Sequence, residues 1–193
     1  MTHASSLDES TRSAIAQRAS KLTWASLGIA IVALGGSLWL SIGMGLKACP
    51  LCFYQRTFVM SIVAVLVVGL LARVKPVSTL SLLSLPLATA GLGVAAFHVS
   101  LERSGQLECP AGLWGFATAP QQSLAILAVL FLVLAVDVVR SLPQTSLSAR
   151  TIFGALLMGA FLTIAAVKSA PPLPPAPTVP YTQPLDSCRP PFG

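Results

Sequence analysis

Apolar residues in this chain come in long, nearly unbroken runs, without the narrow stripe of a soluble helix or the alternation of a half-buried strand. Five runs stand out, at 22–46, 53–71, 77–99, 123–139 and 152–167. Each is near the ~20 residues that a helix needs to cross the hydrocarbon core of a bilayer. The third holds Pro86, Gly91 and Gly93, which fit a kinked, closely packed membrane helix whose neighbours repair the backbone. The pattern predicts an all-α membrane protein, a transmembrane helix bundle of five helices. Its expected organisation is a cytoplasmic N-terminal arm at 1–21, a bundle at 22–168 carrying a loop at 100–122, and a Pro-rich tail at 169–193.

Composition sharpens this reading. The chain of 193 residues is 54% hydrophobic and 9% charged, whereas soluble domains carry roughly 25% charge. A soluble enzyme, a nucleic-acid module and a disordered linker are excluded, and the lipid bilayer is the expected surrounding. Net charge is +6, but the cations stand singly in short loops and read as topology signals. Arg12, Arg18, Lys21, Arg73, Lys75, Arg140 and Arg150 fall on one side, against Lys47, Arg56, Arg103, Lys168 and Arg189 on the other. The bias places the N-terminus in the cytoplasm and the tail outside. The first run exceeds the ~7–15 residues of a signal h-region, so it is expected to remain as a span.

Parity places the cysteines. Cys49 and Cys52 follow the first span, Cys109 the third and Cys188 the fifth. All four therefore share one face of the membrane, expected to be the oxidising one, and their even number fits pairing. The tail holds Pro171, Pro172, Pro174, Pro175, Pro177, Pro180, Pro184, Pro190 and Pro191, so it should be extended, without helix or sheet. At about 3.1 Å per residue its stretch before Cys188 reaches roughly 60 Å, enough to meet any other cysteine on that face.

The chemistry lies in Cys49-Pro50-Leu51-Cys52, placed where a loop enters the second span. With Cys49 capping that helix and Pro50 in its first turn, both sulfurs face the positive end of the helix dipole, where a thiolate is favoured. Lys47 adds a cation, and Arg56 lies one turn beyond Cys52, placed to stabilise its thiolate or the oxygen of an electron acceptor. The bland alternative for Arg56 is snorkelling to head groups. For the cysteines the alternatives are purely structural disulfides or a four-cysteine zinc site. Zinc usually takes two close Cys-x-x-Cys knuckles, and Cys109 and Cys188 stand alone, so no metal is expected. His98 and Glu102, four residues apart on one helix face, are candidates for moving protons or for a structural role at the head-group boundary. Asp137 is expected to pair with Arg140. Trp24, Trp39 and Trp114 fit interfacial belts or helix packing, and Gln121 and Gln122 fit hydrogen bonding at the start of the fourth helix.

The run from Cys49 to Arg56 after a first membrane span resembles the Cys-x-x-Cys…Arg signature of the DsbB family, bacterial inner-membrane proteins that reoxidise a periplasmic dithiol oxidase. A second patch, Phe97-His98-Val99-Ser100-Leu101 followed by Cys109-Pro110-Ala111-Gly112-Leu113, resembles that family's third-helix end and loop cysteine. The likeness covers roughly the first four spans and implies a DsbB-like four-helix core with one helix added. It further implies a thiol:quinone oxidoreductase with Cys49, Cys52, Cys109 and Cys188 as its redox cysteines. The implied cofactor is ubiquinone or menaquinone, met by Cys52, Arg56 and His98. The implied partner is a DsbA-like thioredoxin-fold protein of the periplasm, and no nucleic acid. One departure stands out: the family carries its second cysteine pair within one loop, whereas here that loop holds Cys109 alone. Cys188 is assigned as its partner from parity and reach. Two other readings remain at this point: an enzyme resembling the vitamin K epoxide reductase group, and a non-enzymatic membrane subunit whose cysteines are staples.

Overall fold

The computed structural model describes residues 3–115, 117–142, 148–172, 175, 177 and 180–192, with side chains from Lys21 onward. Pro174 and the tail's last residue, Gly193, fall outside it, as do residues 1–2 of the arm and the side chains of Arg12 and Arg18. Five helices follow in order: α1 (His3–Ile42), α2 (Pro50–Leu71), α3 (Ser78–Arg103), α4 (Ala119–Ser141) and α5 (Ala149–Ser169). All five are long and apolar enough to cross a membrane, α1 through its portion Lys21–Ile42. Among the described residues there is no strand, only the isolated antiparallel bridges Glu108 to Arg189 and Ala111 to Thr118. The first of these ties the tail to the loop before α4.

Helix ends follow local chemistry more than the edges of the apolar runs. The first run was expected to 46, but α1 stops at Ile42, and Gly45 turns the chain with a left-handed φ of 68°. Helix α2 starts earlier than its run, because Cys49 caps it, accepting the Cys52 N–H at 3.3 Å, and Pro50 follows at the first helical position. Ser148 caps α5 in the same way, accepting from the Thr151 N–H.

Helix α3 lies at the centre, packed against α2, α4 and α5, while α1 closes the other side against α2 and α4. The shared core holds Ile62, Leu66, Leu85, Leu127, Leu130 and Leu134, all essentially inaccessible. Helix α5 joins through small residues: a Cβ on Gly159 would come within 2.7 Å of the Pro86 carbonyl oxygen, and Thr163 reaches across to the Ala90 carbonyl. Its other face, with Phe153, Leu157, Phe161 and Ile164 exposed, suits lipid.

At the end away from the cysteines, Asp137 is fully buried. Its expected pairing with Arg140 is replaced by hydroxyls from two other helices, Thr23 of α1 donating at 2.9 Å and Ser81 of α3 at 2.5 Å. Hydrogen bonds between membrane helices contribute roughly 0.6–1.7 kcal/mol each, so Asp137→Ala is expected to cost about 1–3 kcal/mol. Asp137→Asn, which keeps an acceptor, should cost less. Thermal unfolding of the detergent-solubilised protein measures both, and equal midpoints for Ala and wild type would remove Asp137 from the account of stability.

Candidate active site

At the opposite end, the Cys49 cap brings the two sulfurs of the Cys-x-x-Cys to 2.9 Å from each other, both as free thiols. The hydrogen bond with Cys52 is the main cause holding the Cys49 thiol down at about 4, with His98 adding to it against the opposing effect of burial. Cys49 is then a thiolate from mildly acidic pH upward. Its alkylation by iodoacetamide in the reduced protein should change little between about pH 6 and 9, and Cys52→Ala should shift the inflection upward. A wild-type inflection near the ordinary thiol value of about 8.5 would contradict this.

His98 sits among the sulfurs. It is fully buried, with Nε2 at 3.5 Å from Cys109 Sγ and 3.8 Å from Cys49 Sγ, and Nδ1 at 3.9 Å from Cys52 Sγ. Gln55 Nε2 faces Nδ1 at 3.4 Å, while Gln55 Oε1 accepts from the Ser123 hydroxyl at 2.6 Å. In this arrangement the Gln55 amide donates to Nδ1, and the neutral ring then carries its proton on Nε2, directed at Cys49 and Cys109. Glu102 does not share that role: it accepts from Thr118 and Gln121 where the loop enters α4. Gln122 brackets Leu113 through both its backbone groups.

Cys109 is joined to Cys188 by a disulfide spanning 79 residues. Two clamps flank Cys188 and deliver it. Lys47, two residues before Cys49, pairs with Asp186 at 2.8 Å, and its N–H donates to the Asp186 carbonyl at 2.8 Å. Glu108, next to Cys109, exchanges two backbone hydrogen bonds with Arg189, whose guanidinium stacks 3.8 Å above the Tyr181 ring. Lys47 thus serves the tail, rather than being a free cation for the cysteines.

Beside the sulfurs lies a cavity of about 570 Å³, walled by apolar side chains of α1 and α4 and reached by Cys52, Gln55 and Arg56. Arg56 is pinned from α1: it donates to the Ser37 hydroxyl at 3.0 Å, the Ser37 carbonyl at 2.9 Å and the Ser41 hydroxyl at 2.6 Å. So held, the guanidinium faces the cavity instead of snorkelling. Cys188 also lines it, whereas His98 stands behind Gln55 and does not. An apolar pocket with Arg56 pinned in its wall, Lys47 at its rim, glutamine amides and the Cys52 thiol suits a lipid-soluble ring that carries polar oxygens.

The profile of the DsbB family, Disulfide bond formation protein DsbB, matches residues 19–129. The chain belongs to the DsbB family. It is 31% identical over 99 residues to the "Probable disulfide formation protein" of Chlamydia trachomatis, covering 46% of this chain and 71% of that one. With "Disulfide bond formation protein B 2" of Burkholderia lata it shares 32% over 95 residues, 49% of this chain and 56% of the relative. With "Disulfide bond formation protein B 1" of Pseudomonas fluorescens it shares 34% over 85 residues, 43% and 50% of the two chains. No solved structure matches. The DsbB match includes Cys49, Cys52, Arg56, His98 and Cys109 but stops short of Cys188, so the fourth sulfur of this DsbB-family site arrives on a helix and tail outside the matched region. Sequence reasoning missed Ser37 and Ser41, whose only signal is two hydroxyls one turn apart in an apolar span.

Proposed function

We propose that this DsbB-family chain is a thiol:quinone oxidoreductase of the bacterial inner membrane, with its N-terminus cytoplasmic and its cysteines and tail periplasmic. It would reoxidise a DsbA-like dithiol oxidase and pass the electrons to ubiquinone or menaquinone. The observation that carries this reading is the gathering of four sulfurs and His98 at the edge of an apolar cavity that Cys52 and Arg56 also reach.

The thiol chemistry follows from the distances. A partner thiolate attacks Cys109 Sγ and breaks the Cys109–Cys188 bond, releasing Cys188 as a thiolate. Cys109 is buried, so the Glu108–Arg189 bridge opens for this step. The partner's second thiol then resolves the mixed disulfide, leaving the partner oxidised and Cys109 and Cys188 as thiols. Cys188 Sγ lies within 4.8 Å of both Cys49 and Cys52 sulfurs, so it attacks Cys49 of an oxidised Cys49–Cys52 pair and expels Cys52 as a thiolate. Cys109 displaces Cys49 in turn, restoring Cys109–Cys188. His98 Nε2, beside Cys109 and Cys49, gives and takes the proton at the sulfur that leaves or attacks. The result, a dithiol at Cys49/Cys52 and a disulfide at Cys109–Cys188, is the bonding pattern in the structure. A bound quinone supplies a two-electron, two-proton acceptor, and Cys52, Gln55 and Arg56 are the residues placed to meet it. A lipid-dissolved acceptor is the physical reason to mount a Cys-x-x-Cys on a membrane helix.

The test is anaerobic quinone reduction by purified protein fed with a reduced thioredoxin-fold oxidase, followed by loss of quinone absorbance. Turnover is expected for wild type and none for Cys52→Ser. No turnover from folded wild type with both quinone types would favour a membrane subunit with structural disulfides.

A further inference from the structure

The tail does more than complete a disulfide, because it converts the Cys-x-x-Cys into a set of four metal-ligand atoms. The sulfurs of Cys49, Cys52 and Cys188 and a ring nitrogen of His98 all lie within 4.8 Å of one another. Three thiolates and an imidazole form one of the ordinary tetrahedral donor sets for zinc, with Zn–S about 2.3 Å and Zn–N about 2.0 Å, which puts neighbouring sulfurs roughly 3.8 Å apart. The nitrogen contact already fits, with His98 Nε2 3.8 Å from Cys49 Sγ. The Cys49 and Cys52 sulfurs, at 2.9 Å, would separate by roughly 1 Å. Sequence spacing gave no hint of this set, because its third and fourth members come from α3 and from the tail.

We propose that the fully reduced protein holds one zinc ion, or a comparably soft divalent cation, on Cys49, Cys52, His98 and Cys188, and that the Cys109–Cys188 disulfide closes this site. A disulfide sulfur has no thiolate to offer, so the fourth ligand exists only after a dithiol has reduced Cys109–Cys188 and become a disulfide itself. Cys49 already offers a thiolate, and zinc displaces the thiol protons of Cys52 and Cys188, which pass to solvent. Where His98 binds through Nε2, the nitrogen beside Cys49, its proton moves to Nδ1 and the Gln55 amide turns over. The Ser123 hydroxyl permits that turn, since it accepts as well as it donates. An entry path exists: Cys49 and Cys188 also line a second cavity, of about 410 Å³, on the α5 side. Bound zinc would occupy every sulfur that the relay exchanges except Cys109, so it inhibits by trapping the reduced enzyme.

The full-length protein in detergent, reduced anaerobically and freed of reductant, is titrated with ZnCl₂ and separately with Co²⁺. One equivalent should bind, and Co²⁺ should give the sulfur-to-metal charge-transfer band and intense visible bands of a tetrahedral thiolate site. Cys109→Ser retains all four ligands and should bind like wild type. Cys188→Ser and His98→Ala each lose a ligand and should weaken binding at least as much as the tenfold to 100-fold typical of losing an outer partner. The wild type with Cys109–Cys188 intact should show the weaker affinity of Cys188→Ser. No binding by reduced wild type, equal binding by Cys109→Ser and Cys188→Ser, or full affinity in the oxidised form would each overturn the proposal. It draws on the relay only for how the reduced form arises, and metal binding measured without quinone or partner fails or succeeds separately from that reading.

Discussion

Cys188→Ser is expected to reduce oxidation of the thioredoxin-fold partner to background while leaving quinone reduction driven by a small dithiol such as dithiothreitol close to wild type. The split follows from where the sulfurs sit. Without Cys188, Cys109 has no disulfide for the partner to attack, but Cys49 and Cys52 keep their own contact, their His98 neighbour and their place at the cavity. Cys109→Ser should behave alike. Both activities are read in one anaerobic assay by changing the electron donor. Partner oxidation that persists in Cys188→Ser would mean that the partner reduces Cys49–Cys52 directly and that the tail disulfide is a staple.

The second large effect is expected at Arg56. Its guanidinium makes three hydrogen bonds to α1 and lines the cavity, so it is a charge held in place before any ligand arrives. A hydrogen bond to a charged group contributes about 1.5–3 kcal/mol, so Arg56→Ala should lower kcat/KM for quinone roughly 10- to 150-fold, mostly through KM. Thiol exchange with the partner in a single turnover should be unaffected. Arg56→Lys should fall between, because an ammonium cannot reach Ser37 and Ser41 together as the planar fork does. A wild-type KM for Arg56→Ala would return Arg56 to a role in holding α1 against α2.

What the chain's pattern disclosed was one-dimensional. Apolar runs located the helices, Cys49-Pro50 marked the cap of α2, and parity put all four cysteines at one end. Cys109 and Cys188 could be matched because there were few thiols and a long reach. What stayed hidden was decided between helices. Periodicity placed His98 and Glu102 on one face, yet could not say that sulfurs would surround the first and that Thr118 and Gln121 would take the second. Asp137 drew its hydroxyls from residues 114 and 56 positions away, in place of the nearer Arg140. Lys47 likewise found Asp186 at the far end of the sequence, a pairing that charge alone does not encode.

The span of the Cys109–Cys188 bond has a consequence for how the protein is made. Synthesis at about 5–20 residues per second puts roughly 4 to 16 s between the emergence of the two cysteines, which stand 79 residues apart. Through that interval Cys49, Cys52 and Cys109 are in place while α4 and α5 are still entering the bilayer. Cys109 meets the Cys-x-x-Cys before its native partner exists, so premature pairing with Cys49 or Cys52 is the error expected of this order of synthesis. A ribosome stalled inside α5 is therefore expected to expose a miswired intermediate, and the Cys109–Cys188 bond is one that the finished geometry selects against the order of translation.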